Sequence, residues 1–137
     1  MQVALPQGVL DLLQTKVGSF EELELLLLLF RDRNVSWSAS AVATHLGMDA
    51  DLAAEALARV HAAGLLEKSS RKDGPIYSYV PRAPELDQAV ADLAIAYDGR
   101  RLEVIRILNE HAVSRLRLSA LRMFSDSFVI GGKKKDG

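Results

Sequence analysis

The stretch from Trp37 to Val80, WSASAVATHLGMDADLAAEALARVHAAGLLEKSSRKDGPIYSYV, constrains the fold more than any other part of the chain. Ser38 offers a side-chain cap to a helix over residues 39–46. Gly47 follows, and glycine most readily takes the left-handed conformation just past a helix end. Asp49 caps a second helix that runs to about Ala63 and stops at Gly64. Two strand-like runs come next, 65–69 and 76–80, joined by a loop containing Arg71, Lys72, Asp73 and Gly74. An Asp-Gly pair between such runs is a strong hairpin signal. Helix, tight turn, helix and hairpin form the order of a winged helix-turn-helix. The predicted fold class is therefore mainly α, with a two-stranded wing.

The flanks read as helical. Pro6 suits a first helical turn, and Val9, Leu10, Leu12 and Leu13 give that helix an apolar face. Ser19 followed by Glu22 is a capping box opening a helix to about Asp32. Leu23, Leu26, Leu27 and Phe30 form one face of it. Leu25, Leu28 and Leu29 widen that face beyond an ordinary amphipathic stripe, so the helix is expected to be sandwiched between the winged core and either the C-terminal arm or a partner chain. Pro84 opens a long helical stretch in which Leu86, Val90, Leu93 and Tyr97 recur at heptad-like spacing. The same spacing continues through Arg101, Ile105, Leu108 and Ala112, with Gly99 as a weak point. A further helix is expected around 112–124. The predicted organisation is an N-terminal arm (1–17), a winged-helix domain (18–82), a helical C-terminal arm for packing and dimerisation (83–130) and a flexible basic tail (131–137).

Several function classes find no support. The sequence has no cysteine, which excludes disulfides, thiolate metal sites and a cysteine nucleophile. His45, His61 and His111 fall on three different predicted helices with no HxxxH or HExxH spacing. Phosphate-binding glycine loops and nucleophile elbows are missing as well. The chain reads as a non-enzyme with no cofactor. It has no visible signal peptide and no apolar run near the roughly 20 residues of a membrane span, which points to a cytoplasmic protein.

The residues Trp37-Ser38-Ala39, Val42-Ala43-x-x-Leu46-Gly47, Leu57, Val60, Gly64-Leu65-Leu66 and Asp73-Gly74 together resemble the winged helices of MarR-like bacterial transcription regulators, over residues 21–80. The resemblance implies a regulator that binds double-stranded DNA as a homodimer held by helices outside the winged core. It also implies that the helix starting near Asp49 lies in the major groove and that the wing touches the backbone. Carried onto this chain, the DNA-contacting candidates are Arg59 on that helix and Lys68, Arg71 and Lys72 on the wing.

The charges pull the other way. On the 49–63 helix, Ala53, Leu57, Val60 and Gly64 recur at inward spacing. That leaves Asp51, Ala54, Glu55, Ala58, Arg59 and Ala62 facing outward. A reading helix needs donors for base edges and cations for phosphates, and this face offers acids, alanines and one arginine. Residues 1–98 hold 8 Lys and Arg against 14 Asp and Glu, whereas residues 99–137 hold 9 against 4. The basic C-terminal part is therefore expected to pair with the acidic first part, within one chain or across a dimer. The alternative reading is a winged helix used as a protein-interaction module, with Asp51 and Glu55 on the docking face for a basic or apolar protein partner.

Overall fold

The structure, a computed structural model, describes residues 4–113 and Leu121. In chain order the elements are α1 (Gln7–Thr15), α2 (Phe20–Arg31), β1 (Trp37–Ser38), α3 (Ala39–Leu46), α4 (Ala50–Ala62), β2 (Leu66–Arg71), β3 (Gly74–Tyr79) and α5 (Pro84–Gly99). Residues 101–113 form a further helical segment, α6.

The helix boundaries follow from the capping chemistry. The Ser19 hydroxyl accepts from the Glu22 N–H at 3.2 Å, and the Glu22 carboxylate returns to the Gly18 N–H and the Ser19 hydroxyl, both at 3.0 Å. Ser38 accepts from the Ala41 N–H, and Asp49 accepts from the N–H groups of Asp51 and Leu52. Each satisfies donors that a first helical turn leaves without intrahelical partners. Gly47 closes α3 in the left-handed conformation, with φ of 69° and ψ of 39°.

The leucines of α2 explain its width. Leu23 and Leu25 to Leu29 are all buried, because α2 packs against α3, α4 and β3 on the winged side and against α5 on the other. The covering layer is the chain's own C-terminal arm, so the sandwich forms within one protomer. Replacing any fully buried one of these leucines by alanine should cost about 2–5 kcal/mol. The N-terminal arm is likewise docked on the body. Val9, Leu12 and Leu13 of α1 are buried, and α1 lies along α5 so closely that a Cβ on Gly8 would meet the Ala89 Cβ at 3.2 Å.

The wing is part of a larger sheet than the two strands expected. Its three strands are antiparallel in the order β1-β3-β2, and the extended link at Trp37 and Ser38 pairs with Tyr77 and Ile76. The hairpin itself runs in register from Leu66 opposite Tyr79 to Arg71 opposite Gly74. Lys72 and Asp73 therefore make the turn, and Gly74, at φ +123°, begins the returning strand.

Two sequence expectations need correction. The long C-terminal helix does not run through. It ends at Gly99, and Arg100 leaves helical geometry at φ −137° and ψ 47°. The inward positions beyond it differ in part from those expected. Beyond the break the buried positions are Val104 and Leu108, while Arg101 is exposed and Ile105 half-buried. Glycine's lower helical stability makes this the natural place for the chain to turn. The charge expectation also fails for two arginines. Arg100 pairs with Glu103, and Arg106 pairs with Glu110, both locally along the helix rather than with the acidic first part. Spacings of three and four residues put such partners side by side on one face. The helix expected over 112–124 and the tail at 131–137 lie almost wholly outside the described residues.

One polar cluster fixes the arm to the core. Tyr79, at the end of β3, donates its hydroxyl to Asp87 in the first turns of α5 at 2.8 Å. Arg33, just past α2, pairs with the same carboxylate at 3.6 Å and lies over the rings of Phe30 and Tyr79. Those two rings meet edge to face at 5.2 Å. Three elements thus converge on one aspartate. Burial first, and then the hydrogen bond to Asp87, push the Tyr79 hydroxyl well above the usual tyrosine range.

Candidate nucleic-acid interface

Helix α4 buries Ala53, Ala56, Leu57 and Val60 and leaves Asp51, Ala54, Glu55, Ala58, Arg59 and Ala62 exposed. Its outer face is therefore the one the heptad-free three-to-four spacing placed there. Asp49, the N-cap, is exposed as well, so three carboxylates stand along the first half of the helix. Arg59 is the single arginine or lysine of α4. Its guanidinium sits 3.7 Å from Glu55 one turn back and 3.7 Å from Glu22 of the capping box. Glu22 is 4 % exposed. The Arg59 side chain is 56 % exposed, so solvent reaches both pairs and screens them.

The wing separates its cations. Strand alternation sends successive side chains to opposite faces. Lys68 stands opposite Tyr77, on the face that also carries Leu66 and Tyr79. Arg71, three residues on, belongs to the other face, and Lys72 lies in the turn. All three are exposed. The hairpin brings Arg71 and Lys72 together at its tip and sets Lys68 apart, nearer α4.

The ion pairs leave a pattern that composition hides. Arg31 pairs with Asp98, Arg33 with Asp87, Arg59 with two glutamates, and Arg100 and Arg106 with neighbours in α6. Among the described residues, the lysines and arginines outside ion pairs are Lys16, Lys68, Arg71, Lys72, Arg82 and Arg101. Arg101 lies over the Tyr97 ring at 4.9 Å. Four of these six belong to the β2–β3 hairpin or its exit. Arg82 escapes casual reading of the sequence because it follows the second strand. Its nearness to the wing base depends on the Arg82 N–H donating to the Gly64 carbonyl at 2.7 Å.

The histidines have packing partners. His45 meets Trp37 edge on at 5.5 Å, and His61 meets Tyr77 at 5.9 Å. Among the described residues no three His, Asp or Glu side chains are grouped to hold a metal ion. No helix of the described residues is long and apolar enough to cross a membrane.

Neither a protein-family model nor a curated protein matches the sequence. Solved structures do match in shape. MepR, a transcription regulator of the Staphylococcus aureus multidrug efflux pump MepA, superposes with a TM-score of 0.50 over 88 % of this chain and 90 % of that one, at 11 % identity. The fold is a winged helix. The adhesin competence repressor AdcR of Streptococcus pyogenes covers 90 % of this chain and 88 % of its own at a TM-score of 0.49 and 11 % identity. A ZitR variant of Lactococcus lactis covers 80 % and 75 % at 0.49 and 12 %. At such identities the likeness to MepR is one of fold, and a winged-helix scaffold by itself hosts more than one function. On this winged helix the exposed face of α4 and its N-cap carry Asp49, Asp51 and Glu55 against Arg59.

Proposed function

We propose that this winged helix is a cytoplasmic DNA-binding transcriptional regulator that engages the duplex through its wing. Lys68, Arg71 and Lys72 contact phosphates, and α4 contributes little to base readout. One observation carries the reading: the cations free of carboxylate partners gather on the hairpin and its exit, while Arg59 is held by Glu22 and Glu55. Phosphate affinity depends on cations that release counterions when they bind. An arginine already neutralised contributes less of that. MepR, which shares the fold, is described as a transcription regulator, and that analogy supports the same assignment.

The regulator acts as a homodimer through its helical arm. Ile95 of α5 is 71 % exposed and Leu102 of α6 is 83 % exposed, both large apolar side chains on the arm. Beside Ile95, an apolar hollow of about 270 Å³ opens between the residues leading into α1 and the C-terminal part of α5, lined in part by Leu5, Pro6 and Ala96.

A second reading has its own support. The acids and alanines of the α4 face suit a basic or apolar protein partner better than a phosphate backbone, with Asp51 and Glu55 as the docking charges. Titration with random-sequence duplex at low salt separates the two. The regulator binds with an affinity that falls as salt rises, and Asp51→Lys with Glu55→Lys strengthens it. An absence of any salt-dependent binding removes the first reading in favour of the second.

A further inference from the structure

We infer that the hollow at the base of the wing is a seat for a phosphoryl anion, formed by His61, Lys68 and Arg82. The three side chains come from three places in the sequence: the last turn of α4, the middle of β2 and the exit of β3. All three line one open hollow of about 320 Å³. They meet there because of Gly64. Its φ of +87° turns the chain from α4 into the hairpin, and its carbonyl accepts the Arg82 N–H at 2.7 Å. The Val80 N–H donates to Leu65 alongside, so the two ends of the hairpin are stitched at the mouth of the hollow. The Arg82 guanidinium then lies 3.3 Å from where a Cβ on residue 64 would be. Any side chain at that position would crowd the arginine as well as strain the turn.

The charge balance selects the ligand. Lys68 and Arg82 make no ion pair among the described residues. Lys68 stands opposite Tyr77 on β3, and the His61 ring packs against the same Tyr77, so the lysine and the histidine share one side of the hairpin. Glu67 is the single carboxylate lining the hollow, so two full cations, Lys68 and Arg82, stand against one carboxylate there. An arginine fork, a lysine point charge and an imidazole, brought to one hollow from three stretches of the chain, match a tetrahedral anion with several oxygens. The charged lining of this open hollow does not suit a drug-sized apolar ligand, which needs mostly apolar and aromatic walls. The phosphoryl group can be a backbone phosphate of a bound duplex or a free phosphate. Only the first source rests on the DNA-binding reading above.

The test follows the His61 imidazole resonances of the full chain by NMR, assigned with His61→Gln. Inorganic phosphate, pyrophosphate and a random-sequence duplex are added in separate titrations. The inference expects saturable movement of the His61 signals with at least one of them. Lys68→Ala and Arg82→Gln should each weaken that response by roughly threefold or more. Intact His45 signals, against Trp37, report that the variants remain folded. Movement with duplex alone assigns the seat to DNA phosphate, and movement with inorganic phosphate or pyrophosphate alone assigns it to a free ligand. The inference is overturned if none of the three moves His61, or if both substitutions leave the response unchanged. Duplex binding that spares His61, with phosphate and pyrophosphate also leaving it unmoved, would end this inference and leave wing-tip DNA binding standing. A phosphate response in a chain that binds no duplex would do the reverse.

Discussion

Glu22→Ala probes the joint between the Leu-rich helix and the face that ought to read DNA. The carboxylate is 4 % exposed, accepts two hydrogen bonds at 3.0 Å, and sits 3.7 Å from Arg59. Hydrogen bonds to a charged group are worth about 1.5–3 kcal/mol, and a helix cap about 1 kcal/mol. Removing the carboxylate also removes its own desolvation cost, which offsets part of the sum. The expected net loss is about 2–3 kcal/mol, a large share of the roughly 5–15 kcal/mol that holds a domain of this kind together. Arg59→Ala should cost under about 1 kcal/mol, because its side chain is 56 % exposed and both of its pairs are solvent-screened. Urea unfolding of the two variants beside the wild type measures both numbers. A Glu22→Ala loss below about 0.5 kcal/mol would refute the capping box as the source of stability. An Arg59→Ala loss as large as that of Glu22→Ala would assign the energy to the ion pair instead.

Other outcomes follow from the same geometry. The Tyr79 hydroxyl keeps its proton in the folded chain beyond the pH at which the unfolded chain loses it, near 10. The stability this confers is complete below that pH and falls as pH rises above it. Denaturation midpoints should therefore decline on the alkaline side, and Tyr79→Phe should flatten the decline. A part should survive through Tyr97, whose hydroxyl is also pushed up, mainly by burial and then by Glu24. A wild type equally stable across that window would contradict the assignment. On the arm, Leu102→Lys should dissociate a homodimer with little effect on protomer stability, because the side chain is 83 % exposed. Sedimentation at several concentrations reads this, and an unchanged mass would place the interface elsewhere.

The winged core was legible because its punctuation is local. Ser38, Gly47, Asp49 and Gly64 act on backbone groups within a few residues of themselves, so their chemistry can be recognised without the fold. What stayed hidden depends on pairing across distance. Trp37 joins the sheet only because Tyr77 lies beside it, and Arg59 loses its freedom to Glu22, which belongs to a different helix. The convergence of Arg33, Tyr79 and Asp87 is likewise invisible as spacing. Gly99 was recognisable as a weak point, but whether a helix crosses such a residue depends on what the following turn can bury. Here Val104 and Leu108 reach the core while Arg101 stays exposed. The split of Lys68 from Arg71 was available from strand alternation alone. Grouping the wing cations by charge concealed it.

The central claim is that the wing, and not α4, holds the DNA. The most direct measurement is the dependence of duplex affinity on salt concentration, for the wild type, for Lys68→Ala/Arg71→Ala/Lys72→Ala and for Arg59→Ala. Each phosphate contact contributes close to one unit to the slope of log affinity against log salt. The account predicts a wild-type slope that drops by about 2–3 in the wing variant and is nearly unchanged in Arg59→Ala. A wing variant that keeps the wild-type slope, with Arg59→Ala losing it, would contradict the account.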